Sequence, residues 1–133
     1  MIPDSDLETL RSFNGRGHNA LSVYLCLDTT EHRDAAYDTF AQQIQARLDE
    51  CNPKPECRKA IKEDVEIVGL YLKTDGYRHR PGLVIFSCAA ELFWRAYSLS
   101  LPLPTQVTVG PKFNLEPLMR TIGPRDMPWV RSR

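Results

Sequence analysis

Three histidines, four cysteines, a glycine-flanked arginine and one basic run are the residues here whose types could do chemistry. The histidines, His18, His32 and His79, all fall in predicted loops or at a helix start, and no Ser–His–Asp or Cys–His arrangement is legible. Cys26 and Cys88 lie inside predicted strands and read as buried free thiols. Cys51 and Cys57 bracket Asn-Pro-Lys-Pro-Glu between two helices. That spacing is not Cys-x-x-Cys, and no histidine pair accompanies it, which argues against a zinc site. Gly15-Arg16-Gly17 fits neither phosphate-loop pattern and precedes a strand, so it reads as a helix stop and a loop. Asp34 with Asp38, and Glu63, Asp64 and Glu66, read as solvated helix faces. The densest basic cluster is Arg78-His79-Arg80, beside Tyr77. Its functional reading is a phosphate-contacting patch with a stacking aromatic, and its bland reading is a solvated loop.

Composition narrows the partners. The 133 residues carry 17 basic and 17 acidic side chains, a formal net charge of +0, so any contact with nucleic acid or an anionic membrane must come from a local patch. The 42% hydrophobic and 26% charged content is ordinary for a globular domain with one core. No apolar run approaches the roughly 20 residues of a spanning helix, and the acidic start Met-Ile-Pro-Asp-Ser-Asp lacks the regions of a signal peptide. A cytoplasmic protein with no membrane partner and no cofactor is expected.

The elements that must position these residues centre on 81–104. Pro81-Gly82 leads into an apolar run, Leu83 to Phe86, that reads as a strand buried on both faces. A turn at 88–91 connects it to an alternating strand with Tyr97, Leu99 and Leu101 on one side, ended by Pro102 and Pro104. This hairpin is expected at the centre of the sheet. Before it come a helix from Asp6 to Phe13 with a Ser5/Glu8 capping box, then a strand from Leu21 to Leu27. Asp28-Thr29-Thr30 ends that strand and offers caps to the next helix.

Two amphipathic helices follow. The first, Arg33 to Glu50, carries Tyr37, Phe40, Ala41, Ile44 and Leu48 as its stripe. The second, Pro55 to about Thr74, carries Cys57, Ile61, Val65, Val68 and Leu72. Together they predict an αα-hairpin over one face of the sheet. A short strand at Gln106–Val109 and a helix from Leu115 to Ile122, capped by Asn114, complete the pattern. The expected fold is α+β: a four-stranded, mostly antiparallel sheet packed with an αα-hairpin and terminal helices, one domain over 1–123 with an irregular tail at 124–133.

Several phrases together resemble a known family. They are Leu-Ser-Val-Tyr-Leu-Cys-Leu-Asp at 21–28, the helix pair, Pro-Gly-Leu-Val-Ile-Phe-Ser-Cys at 81–88, Leu-Pro-Leu-Pro at 101–104, and Phe-Asn-Leu-Glu-Pro-Leu-Met at 113–119. Their order resembles the amino-terminal domain of the class-1 peptide chain release factors of eukaryotes and archaea, closest to that family's bacterial and archaeal relatives, over about Leu7 to Ile122. The resemblance implies a domain that sits in the ribosome beside tRNA or messenger. In the family, a separate middle domain with a Gly-Gly-Gln loop promotes peptidyl-tRNA hydrolysis. No Gly-Gly-Gln occurs here, so hydrolysis is not expected and the chain reads as non-catalytic.

The family's codon-reading motifs mostly fail to carry over. Where it has Asn-Ile-Lys-Ser, this chain keeps Asn52 and Lys54. Where it has Tyr-x-Cys-x-x-x-Phe, the matching positions are Val107, Val109 and Phe113, of which Phe113 agrees. Its Gly-Thr-Ser-like segment is Cys88-Ala89-Ala90 here. Stop-codon reading is therefore not expected. The candidate RNA or ribosome contacts are Asn52, Lys54, Arg78, His79, Arg80, Lys112 and Phe113. The alternative is a protein–protein module or homodimer that associates through a sheet edge or the Trp94 face.

Overall fold

The computed structural model describes residues 2–51, 55–74 and 76–122. The expected tail at 124–133 and the helix-hairpin tip with Asn52 and Lys54 lie outside the described residues. Helix α1 (Asp4–Ser12) leads into strand β1 (Ala20–Cys26). A short helix α2 (Thr30–Asp34) is followed by the long helices α3 (Ala36–Cys51) and α4 (Pro55–Leu72). Then come β2 (Gly82–Cys88), a 3-10 turn at Ala89–Glu91, β3 (Phe93–Leu99), β4 (Gln106–Gly110) and α5 (Glu116–Ile122). Among the described residues, no helix is long and apolar enough to cross a membrane.

The four strands form one antiparallel sheet in the order β3-β2-β1-β4. The α+β architecture is the expected one, but the centre of the sheet is shifted. Strands β1 and β2 are the inner pair, and β3, the second arm of the expected central hairpin, is an edge. Every residue of β2 is buried. With period-2 alternation, Val84, Phe86 and Cys88 enter one core and Leu83 and Ile85 the other. Burying each large side chain of that run contributes about 1.5–3 kcal/mol.

The two cores lie on opposite faces of the sheet. The first joins Tyr24, Val84, Phe86 and Leu103 to Leu7 and Leu10 of α1 and Leu118 of α5. The second joins Leu21, Val23, Leu25 and Ile85 to Phe40 and Ile44 of α3 and Ile61, Val68 and Leu72 of α4. The αα-hairpin thus covers one face and the terminal helices the other.

Local chemistry sets the boundaries. Helix α1 starts at Asp4, with Pro3 at its N-cap and no side-chain cap, so the Ser5/Glu8 capping box does not form. Ser5 already lies within the helix, where its carbonyl accepts from Thr9 Oγ1 at 2.9 Å. The single helix expected from Arg33 to Glu50 is two helices, because Thr29 starts the first earlier and Ala35 interrupts the run. The buried face of α3 is also rotated from the expected stripe. Ala36, Phe40 and Ile44 are inside, while Tyr37 and Ala41 face out.

At the start of β2, Gly82 admits the β3–β4 connection. A Cβ there would stand 2.2 Å from the Leu101 carbonyl oxygen. At the β2–β3 turn, Leu92 adopts a left-handed conformation (φ 54°) with its side chain 96% exposed.

Candidate functional site

The end of β1 is a junction of four segments. Cys26 N–H donates to Thr105 Oγ1 at 3.1 Å, and Leu27 N–H donates to the Pro81 carbonyl at 2.7 Å. Arg33 Nε donates to the Leu27 carbonyl at 2.9 Å. The strand terminus is therefore held by the β3–β4 connection, the approach to β2, and α2. Thr29 is the N-cap of α2, its Oγ1 accepting from His32 N–H at 3.0 Å. That cap winds the first turn so that His32 sits one turn beyond Asp28, and His32 Nδ1 lies 2.8 Å from Asp28 Oδ1. Cys26, at the last position of the strand, completes a cluster. The candidate donor atoms of Cys26, Asp28 and His32 all lie within 4.8 Å of one another. A cavity of about 210 Å³ opens beside them, with Cys26, His32, Thr39 and Thr105 on its wall and Leu25 and Ala36 in its lining.

Two of the three groups have displaced pKa values. Partial burial pushes the Cys26 thiol up, and the hydrogen bond and charge of the neighbouring Asp28 carboxylate add to this, against an opposing backbone hydrogen bond at Asp28. The Asp28 carboxyl is held below its usual range, first by its hydrogen bond with His32 and then by Cys26.

Among the described residues, the five sequence candidates Arg78, His79, Arg80, Lys112 and Phe113 do not form one site. Arg78 is held by Asp34 of α2, His79 is exposed and Arg80 is half-buried. Lys112 is exposed at the far end of the sheet. There β4 pairs Gly110 with Ala20, whereas β2 pairs Gly82 with Cys26. The two loops are thus separated by the length of β1, roughly 20 Å at about 3.3 Å per residue. Phe113 is buried, with ring centroids 4.4 Å from Phe13 and 5.2 Å from Phe86 and Phe93. Asn52 and Lys54 lie outside the described residues. Tyr77, read as a stacking aromatic beside the basic run, is a core residue. It is 1% exposed, stacks on Tyr71 at 5.6 Å, and donates its hydroxyl to the Leu72 carbonyl at 2.6 Å.

A second polar group differs from its sequence reading. Asp64 belongs to the buried face of α4 and not to the wet one. Its carboxylate accepts from Ser87 Oγ at 2.5 Å and from Ala89 N–H at 2.8 Å. It ties α4 to the end of β2 and to the turn beyond it.

The Cys26–Asp28–His32 cluster escaped the sequence reading because the helix was started at Arg33, so that His32 was not seen to stand one helical turn beyond Asp28. The spacing Cys-x-Asp-x-x-x-His is plain once Thr29 is taken as the cap. No protein-family model matches the chain, and no curated protein is significantly similar to it.

Proposed function

We propose that the chain is a non-catalytic RNA-docking domain of the translation-factor type, working beside tRNA or within the ribosome. The family resemblance motivates this reading. The observation that carries it is the connection from α4 to β2. There His79 stands exposed, and Arg80 has no acidic partner among the described residues. Arg78, paired with Asp34, anchors the loop to α2, beside the exposed His79 and the half-buried Arg80.

Titration of the protein onto labelled tRNA and onto ribosomes across a salt series tests the reading. Binding should weaken as salt rises, and Arg80→Ala should lower the slope of log K against log salt by about 1. Absence of binding at low salt refutes it.

A second reading, a self-associating module, has its own observation. Tyr37, Ile67 and Leu70 are exposed apolar side chains of α3 and α4, at 41%, 42% and 68%. A groove of about 310 Å³ runs between Tyr37, Val65 and Leu70. A concentration-dependent dimer in light scattering supports that reading, and a monomer at all concentrations rejects it. The expected Trp94 face is partly spent within the chain, where the indole packs on Tyr71 with ring centroids 5.5 Å apart.

A further inference from the structure

We propose that Cys26, Asp28 and His32 form a binding site for one divalent cation of the zinc type, with its fourth coordination position open to the adjoining cavity. The donor set is the first argument. One thiolate, one imidazole and one carboxylate are the ligands that Zn²⁺ takes, and they disfavour Mg²⁺ and Ca²⁺, which prefer oxygen alone.

Geometry is the second argument. Zinc–ligand distances of about 2.0–2.3 Å in a tetrahedron place the donors roughly 3.3–3.5 Å apart. The three donor atoms already lie within 4.8 Å of one another, with Asp28 Oδ1 and His32 Nδ1 at 2.8 Å. A cation entering between them replaces the shared proton and spreads that pair by roughly 0.5 Å. The exposed side chains of Asp28 and His32 can make that movement without disturbing the core.

Support from the surroundings is the third argument. Cys26 is held by the strand and by its N–H bond to Thr105, and His32 by the Thr29 cap. Two of the three donors therefore sit on backbone fixed by hydrogen bonds before any cation arrives. The cavity lined by Thr39 and Thr105 supplies room for a water or a small anionic group on the fourth position. Binding exchanges protons for the cation: the Cys26 S–H bond breaks and its proton goes to solvent, the proton between His32 Nδ1 and Asp28 leaves Nδ1 for solvent or, through solvent, for Nε2, and bonds from sulfur, Nδ1 and a carboxylate oxygen to zinc form in their place.

The site is independent of the RNA-docking reading, and either can fail without the other. The experiment uses the full chain, reduced and freed of metal with a chelator, titrated with Zn²⁺ against a chromophoric competitor and separately with Co²⁺. One equivalent of Zn²⁺ should bind. The Co²⁺ form should show visible bands of tetrahedral geometry and a near-ultraviolet thiolate charge-transfer band. Cys26→Ser should abolish that band, and His32→Ala and Asp28→Asn should each weaken Zn²⁺ binding at least tenfold. The double variant Cys51→Ser with Cys57→Ser should bind as the parent does. Circular dichroism establishes that each variant is folded. If Cys26→Ser fails to fold, the surface variants His32→Ala and Asp28→Asn decide the matter. The proposal is overturned if no Zn²⁺ binds, if binding survives both surface variants, or if only the Cys51/Cys57 variant loses it.

Discussion

Removing the Asp64 carboxylate tests how the helix hairpin is tied to the sheet. The side chain is 1% exposed and holds two donors, the Ser87 hydroxyl and the Ala89 N–H. Hydrogen bonds to a charged group are worth about 1.5–3 kcal/mol each, and a donor stranded in the interior adds its own desolvation cost. Against this stands relief from burying a carboxylate. The net loss for Asp64→Ala is about 3 kcal/mol, a large share of the 5–15 kcal/mol typical of a domain, and a fall of about 10 °C in Tm.

The pH dependence separates burial from bonding. Burial is the largest influence and lifts the Asp64 carboxyl above the usual 3.8. The Ser87 and Ala89 bonds oppose it, and Glu63 adds to the rise. The folded chain then holds this proton more tightly than the unfolded chain does. Between 3.8 and the raised native value the native state binds more protons, so this group's contribution to stability falls as pH rises. Asp64→Asn has no such titration. Urea unfolding of parent and Asp64→Asn, followed by tryptophan fluorescence at pH values spanning that window, should show the parent's advantage largest at the acid end and shrinking upward. An advantage that grows with pH refutes the argument, as does an Asp64→Ala loss within the ~0.5 kcal/mol of a surface substitution.

Two backbone positions give further tests. Gly82→Ala drives a methyl group against the Leu101 carbonyl. It should cost about 3 kcal/mol, read from the urea midpoint at unchanged slope; a neutral outcome would mean that the β3–β4 connection is free to move. Leu92→Gly relieves a left-handed residue and removes an exposed leucine. It should stabilise by about 1 kcal/mol in the same assay, and a loss of stability would refute the strain argument.

Much of the architecture was legible because its signals are local. The unbroken apolar run at 83–86, the alternation at 96–101 and the helical spacing over 37–48 and 57–72 are each signals carried within one element. Register on a helix was less legible. Ala36, Tyr37, Phe40, Ala41 and Ile44 describe two adjacent stripes. The sheet selects the one led by Ala36, and Tyr37 rests against Gly69 on α4, where a Cβ would come within 3.2 Å of its ring. Asp64 looked solvated because Glu63 and Glu66 flank it. Its burial is decided by the Ser87 hydroxyl and Ala89 amide, which no local pattern can bring to it. Tyr77 was misread because the basic run beside it suggested an exposed stacking ring, whereas its ring packs on Tyr71 and its hydroxyl donates to the Leu72 carbonyl at the end of α4. The cluster at the end of β1 depended on where one helix begins, a boundary set by a single threonine.

The pairing of β1 has a consequence for how the chain is made. Its apolar residues leave the site of synthesis before those of their neighbour β2, which lies roughly 60 residues downstream, a wait of several seconds at about 5–20 residues per second. During that interval the two long helices emerge, carrying Phe40, Ile44, Ile61 and Val68, which share a core with Leu21, Val23 and Leu25 in the folded chain. The hairpin that later roofs the finished sheet is thus also the nascent strand's first shelter from neighbouring chains.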